Sequence, residues 1–169
     1  MTKYLPAIIC LLLFINASFP QPAQKVIDEK TGKSMLIGKC RISDFSDTAF
    51  APWWSGGFNS YKPDTIAADS LRELIKDAAI TAVMATWCGD SRREVPRFFR
   101  IIDLIGYPSE KINIICVDRK KKGAGSEADN LNIERVPTFI FYREGVEAGR
   151  IIESPEASLE KDMIAILRK

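Results

Sequence analysis

Ala85-Thr86-Trp87-Cys88-Gly89-Asp90-Ser91-Arg92-Arg93-Glu94-Val95-Pro96 is the stretch that decides the reading of this chain. The apolar residues 80–86 read as a buried central strand, and residues 90–105 as a helix that stops before Gly106. Cys88 therefore falls where a strand turns into a helix. A group at that place faces unpaired backbone N–H groups and the positive end of the helix dipole. The dipole favours a negative charge there by roughly 0.3–2 kcal/mol. The thiolate, not the thiol, is the reactive form of cysteine. Arg92 and Arg93 push toward it and Asp90 opposes them, at about 1 kcal/mol for a charge ~4 Å away in bulk water. The competing reading is a buried, inert cysteine at a helix start, with Trp87 as core packing.

A second stretch reinforces the first. Val136-Pro137-Thr138-Phe139-Ile140-Phe141-Tyr142-Arg143-Glu144-Gly145 reads as a proline at the head of a strand that runs into a hairpin turn. Together the two stretches resemble the thioredoxin-like superfamily, over roughly residues 62–169. In that family an apolar strand meets a Trp-Cys-Gly-x-Cys turn, and a proline eight residues after the first cysteine kinks the helix. Pro96 holds that place here. Val136 and Pro137 match the family's cis-proline loop, which packs on the catalytic sulfur and pairs with extended substrates. The resemblance marks Cys88, Ser91 and Trp87 as the catalytic candidates. It marks Val136, Pro137, Trp87, Gly89 and Asp90 as the substrate-binding ones.

Three departures from the family bear on activity. Ser91 stands where the second, resolving thiol belongs. A serine can donate a hydrogen bond to a thiolate but cannot attack a disulfide. A mixed disulfide on Cys88 should then persist until another thiol resolves it. Ala82 occupies the place of a buried acid that moves protons during resolution, and Glu153 that of a glycine near the cis-proline. Glu153 either faces the site or is solvated ahead of the last helix.

The chain begins with Lys3, an apolar core over residues 5–14 and the small residues Ala17 and Ser18. This reads as a secretory signal peptide over residues 1–18, containing Cys10, too short for a membrane span of about 20 residues. The expected location is exported, periplasmic or extracellular, with no stable membrane span after cleavage. Cleavage removes only one of the 24 basic residues, against 22 acidic ones, so the mature chain is near neutral. That balance excludes nucleic acid as an evident partner. The chain has no histidine, which removes histidine-based triads and most zinc catalysis. No metal site and no cofactor is read from it.

Three cysteines remain beyond residue 18: Cys40, Cys88 and Cys116. An odd number leaves at least one unpaired or paired between molecules. Cys116, in an apolar strand pattern, reads as a core thiol. Cys40 either resolves Cys88 from outside the helix or is structural.

Residues 19–64 read as an N-terminal extension and 65–169 as the domain. Residues 26–28 and 34–37 suggest a short hairpin. The aromatic, Gly- and Pro-rich residues 50–61 read as a loop packed on the domain or as a docking surface. A helix is expected over 66–78, a strand over 112–117, and a short helix near 127–131. The basic run at 119–122 is a solvated loop or an attractor of acidic substrates. Strands are expected at 138–142 and 146–152. A last helix is expected with Ser154 as its cap and Pro155 at its first position.

The fold class that follows is α/β and thioredoxin-like, a central mixed sheet flanked by helices with an N-terminal extension. Two functions fit. One is an exported thiol–disulfide oxidoreductase working through Cys88 alone on exported protein thiols or disulfides, or on low-molecular-weight thiols. The other is a non-enzymatic module that binds or chaperones extended peptides. A monothiol glutaredoxin-like role is a distant third, because Gly89-Asp90 does not match that family's glycine-aromatic pair.

Overall fold

The structure, a computed structural model, describes residues 22–168. The signal-peptide stretch, with Lys3 and Cys10, lies outside the described residues. The first elements form a hairpin, β1 (Gln24–Ile27) against β2 (Ser34–Cys40). Its turn is organised by Asp28, whose carboxylate accepts from Thr31 Oγ1 at 2.5 Å and from the Lys30 N–H at 3.2 Å. Such local side-chain bonds are what Asp and Thr contribute to turns.

The described part of the N-terminal extension, residues 22–64, contributes β1 and β2 to the sheet. β2 pairs antiparallel with β4 (Ile112–Cys116), and the six-stranded sheet runs β1-β2-β4-β3-β5-β6. The central strand β3 (Ala78–Met84) is parallel to β4 and antiparallel to β5 (Thr138–Arg143). β5 turns into β6 (Val146–Ile152) through Glu144 and Gly145, both at positive φ, as a tight hairpin requires.

Three sequence expectations about elements need correction. Residues 50–61 are not a loop but helix α1 (Ala51–Ser60). Pro52 falls in its first turn, where a missing N–H costs nothing. Tertiary packing overrides the poor propensity of Gly56 and Gly57. The Trp54 ring stacks on Phe45 at 4.3 Å and meets Phe99 at 5.4 Å. Gly57 lies so close to the next layer that a Cβ there would sit 3.0 Å from Pro96 Cβ.

The second correction concerns helix α2, which ends at Leu74 (Thr65–Leu74, capped by Asp64). Ala78 belongs to β3, opposite Arg143. Ile75 and Ala78 are buried in either reading, so their spacing could not place the boundary. The third concerns the last helix. α4 (Leu159–Leu167) starts behind Ser158, whose hydroxyl accepts the Lys161 N–H. Ser154 instead receives Arg93 Nη2, and the Glu156 and Ala157 N–H groups bond to Asp162.

Helix α3 (Gly89–Ile105) leaves β3 through the Cys88 turn, carries a buried Pro96, and ends on Gly106 at φ 71°. Alternate residues of the central strands enter two separate cores. Ile80, Ala82, Met84, Ile112, Ile114 and Cys116 join the helices in the larger one. Val83, Ala85, Ile115 and Val117 face the other side, with Ala128, Val136 and the partly buried Trp87 and Cys88. The site thus lies at the carboxyl end of β3, over the smaller core.

Candidate active site

Cys88 is the N-cap residue of α3. Its N–H bonds to Ala85 O at 3.0 Å, closing the turn, and its carbonyl accepts Arg92 N–H at 3.1 Å, opening the helix. Its side chain does not cap the helix. The half-buried thiol donates instead to Val136 O at 3.2 Å. The Val136-Pro137 peptide bond is cis. Cys88, Val136 and Pro137, 48 residues apart at the hydrogen bond, are therefore brought together.

Ser91 sits one helical turn on and is fully buried. Its hydroxyl oxygen accepts the Ala85 N–H at 3.2 Å. That bond, at the end of the incoming strand, uses one acceptor lone pair of the oxygen and leaves the hydroxyl proton free to donate. The arginines are engaged elsewhere than the sequence reading placed them. Arg92 Nε donates to Thr86 O at 2.6 Å. Arg93 pairs with Asp90 at 2.8 Å and with Glu94 at 2.5 Å. Asp90 is half-exposed and shares the Arg93 charge with Glu94. Gly89 is exposed beside it.

The Trp87 indole N–H donates to Val117 O at 3.0 Å, and the Arg119 guanidinium lies 4.7 Å over the ring. Arg119 is gripped by Asp28. No local pattern in the sequence marks this group. Arg119 was one charge in a basic run, and Asp28 lies 91 positions away with no pattern linking them.

Glu153 follows β6 beside Pro137, with its carboxylate about a third exposed. It adopts φ 60°, the left-handed conformation for which the family uses glycine, and its N–H donates to Pro137 O at 2.7 Å. Its carboxylate pairs with Arg135 at 2.7 Å, which raises the Arg135 pKa. Ala82 is wholly buried between Ile114 and Phe139, so this position of β3 offers no proton carrier.

Cys40 and Cys116 are both buried in the larger core. Cys40 Sγ donates to Gly38 O at 3.6 Å. Burial, and next the Cys40 thiol beside it, push the Cys116 thiol well up. The structure therefore places Cys40 with Cys116, across the sheet from the core that Cys88 touches. Among the described residues no cluster of three or more His, Cys, Asp or Glu side chains could hold a metal ion. No helix among them is long and apolar enough to cross a membrane.

The family model for thioredoxin matches residues 64–165. The chain belongs to the thioredoxin family. It is 34% identical over 91 residues to mitochondrial thioredoxin O of Oryza sativa subsp. japonica, covering 54% of this chain and 50% of that protein. It is 29% identical over 101 residues to chloroplastic thioredoxin Y of the same plant, covering 54% and 57%. The chain thus spans only about half the length of these curated relatives. Among solved structures it is similar to oxidised mitochondrial thioredoxin 3 of Saccharomyces cerevisiae, at 28% identity and a TM-score of 0.38, covering 56% of this chain and 86% of that one.

Proposed function

We propose that this chain is an exported thiol–disulfide oxidoreductase of thioredoxin type that works through Cys88 alone. The observation that carries the reading is the single half-buried thiol at the start of α3, 3.2 Å from the carbonyl that precedes Pro137, with a serine oxygen one turn away. The Cys88 thiolate attacks one sulfur of a client disulfide. A Cys88–client S–S bond forms, the client's own S–S bond breaks, and the departing sulfur leaves with the electron pair and takes a proton from water. Ser91 cannot complete the cycle. A low-molecular-weight thiolate attacks the client sulfur of the mixed disulfide: a new S–S bond joins that thiol to the client, the Cys88–client bond breaks, and Cys88 leaves with the electron pair as thiolate.

Trp87, Gly89, Asp90, Val136 and Pro137 form the lips between which an extended client lies. Export, to the periplasm or the cell exterior, belongs to the proposal and is supported by Lys3 and the apolar residues 5–14. A second reading, a peptide-binding or chaperone-like module, is favoured by Ser91 in the place of a resolving thiol and by Ala82 in the place of a buried acid.

Trapping separates the two. The mature protein, alkylated rapidly and run on non-reducing gels, should accumulate mixed disulfides with exported proteins. Cys88→Ser should abolish them. Cys116→Ser and Cys40→Ser should leave them level, because both thiols are enclosed in the other core. Equal trapping by the parent and Cys88→Ser would hand the site to the binding-module reading.

A further inference from the structure

Two contacts from the N-terminal hairpin converge on the two residues that precede Cys88. At one end, the Leu36 N–H of β2 donates to the buried Thr86 Oγ1 at 3.1 Å. At the other, Asp28 at the β1–β2 turn accepts Arg119 Nε at 2.8 Å and Nη2 at 2.7 Å. That two-pronged geometry fixes the plane of a guanidinium as well as its charge. The carboxylate itself cannot swing. Asp28 is 2% exposed and is also held by Thr31 and Lys30. The guanidinium so fixed lies over the Trp87 ring, and the indole N–H is pinned to Val117 O. The ring is therefore held at its face and at its edge. With its charge answered by Asp28, Arg119 contributes shape here rather than an anion site.

We propose that Arg119, gripped by Asp28 of the β1–β2 hairpin, is a positioning residue that holds the Trp87 ring as a wall of the Cys88 site, so that the N-terminal hairpin tunes the docking of peptide disulfides. This rests on Cys88 being the reacting thiol, as proposed above. A long substrate lies against the indole, whereas a small disulfide needs only the sulfur. Loosening Trp87 should therefore raise the half-saturation for a peptide and leave the small reagent nearly untouched.

The test uses the mature protein and two probes. One is a peptide whose cysteine carries a pyridyl disulfide, and the other is dithiodipyridine. In both, the Cys88 thiolate forms a new S–S bond, the pyridyl S–S bond breaks, and thiopyridone leaves with the electron pair and is read by absorbance. Cys88→Ser is the blank. Arg119→Ala and Asp28→Asn should raise the peptide half-saturation about two- to fivefold, the scale of a lost cation–π contact, and leave the dithiodipyridine rate unchanged. Arg119→Lys keeps the ion pair but lacks the flat face, and should show part of the same rise. A folded Arg119→Ala with the parent's peptide half-saturation overturns the proposal. If Arg119→Ala does not fold, Arg119→Lys decides, and a parental value there overturns it equally. If Cys88 of the parent reacts with neither probe, the Cys88 reading falls by itself. The clamp is then read from Trp87 emission, taken as the difference between each protein and its Trp87→Phe counterpart. A shift in Arg119→Ala supports the clamp, and no shift overturns it.

Discussion

Oxygen and sulfur at position 91 differ in two ways that pull against each other. The buried Ser91 oxygen satisfies the Ala85 N–H at the end of the central strand. A sulfur there is a weaker acceptor but can attack a mixed disulfide on Cys88. Ser91→Cys should therefore raise turnover of a model disulfide, with an external reductant, well above the parent. It should also lower stability by about 0.5–1.5 kcal/mol, the usual worth of one hydrogen bond. Turnover assays and urea melts read the two effects separately. A folded variant with no gain in turnover would mean that the new sulfur does not reach Cys88. Glu153 shows a similar exchange: a residue with a side chain accepts a left-handed backbone, and its carboxylate is tied to Arg135 beside the cis-proline loop.

At the scale of elements, α1 is the clearest case of packing deciding what propensity could not. Its two adjacent glycines have opposite surroundings. A Cβ at Gly56 would meet nothing within 4 Å, while one at Gly57 would press on the Pro96 ring at 3.0 Å. Gly56→Ala should stabilise the fold by about 0.5–1 kcal/mol through the backbone entropy of the unfolded chain. Gly57→Ala should destabilise it by about 1–3 kcal/mol, because a proline ring inside a packed helix cannot yield and α1 must move off α3. Urea denaturation of the two variants measures the difference. Similar values would place the α1–α3 contact elsewhere. α4 carries the same lesson at its start. The sequence pattern offers Ser154 as the cap, while the Ser158 hydroxyl bond to Lys161 N–H and the bonds of Asp162 to the Glu156 and Ala157 backbone start the helix one turn later.

Across the whole molecule, the Asp28–Arg119 pair ties the first hairpin to the loop that covers the smaller core. Arg119, and after it Thr31, hold the Asp28 carboxyl well below the usual carboxylate range. A carboxyl lowered in the folded state stabilises it fully above the unfolded pKa of about 3.9, and that stability is lost as pH falls toward the folded value. Asp47, lowered by Lys25, and Glu147, lowered by Arg150, act in the same sense. The parent should thus lose stability steeply below about pH 4. Asp28→Asn should be less stable at neutral pH and show a shallower decline in acid. Urea melts across that range give both curves. Parallel curves would assign the acid sensitivity to the other carboxylates.

Features that depend on neighbours along the chain are legible in the sequence. The apolar β3 run, the Cys88 turn, the helix stop at Gly106 and the Glu144-Gly145 hairpin are local patterns, and the structure contains each of them. The absence of a second thiol at position 91 was equally plain. Tertiary structure decided what depends on distant partners. It turned residues 51–60 into a helix against Phe45 and Phe99, and made β2 a member of the sheet. It set Cys40 beside Cys116, and turned the Ser91 oxygen toward Ala85. It also joined Asp28 to Arg119 over Trp87. The physical reason is that propensity and periodicity act over a few residues. A hydrogen bond across 91 positions, or a glycine chosen for the approach of another helix, exists only once the layers have packed.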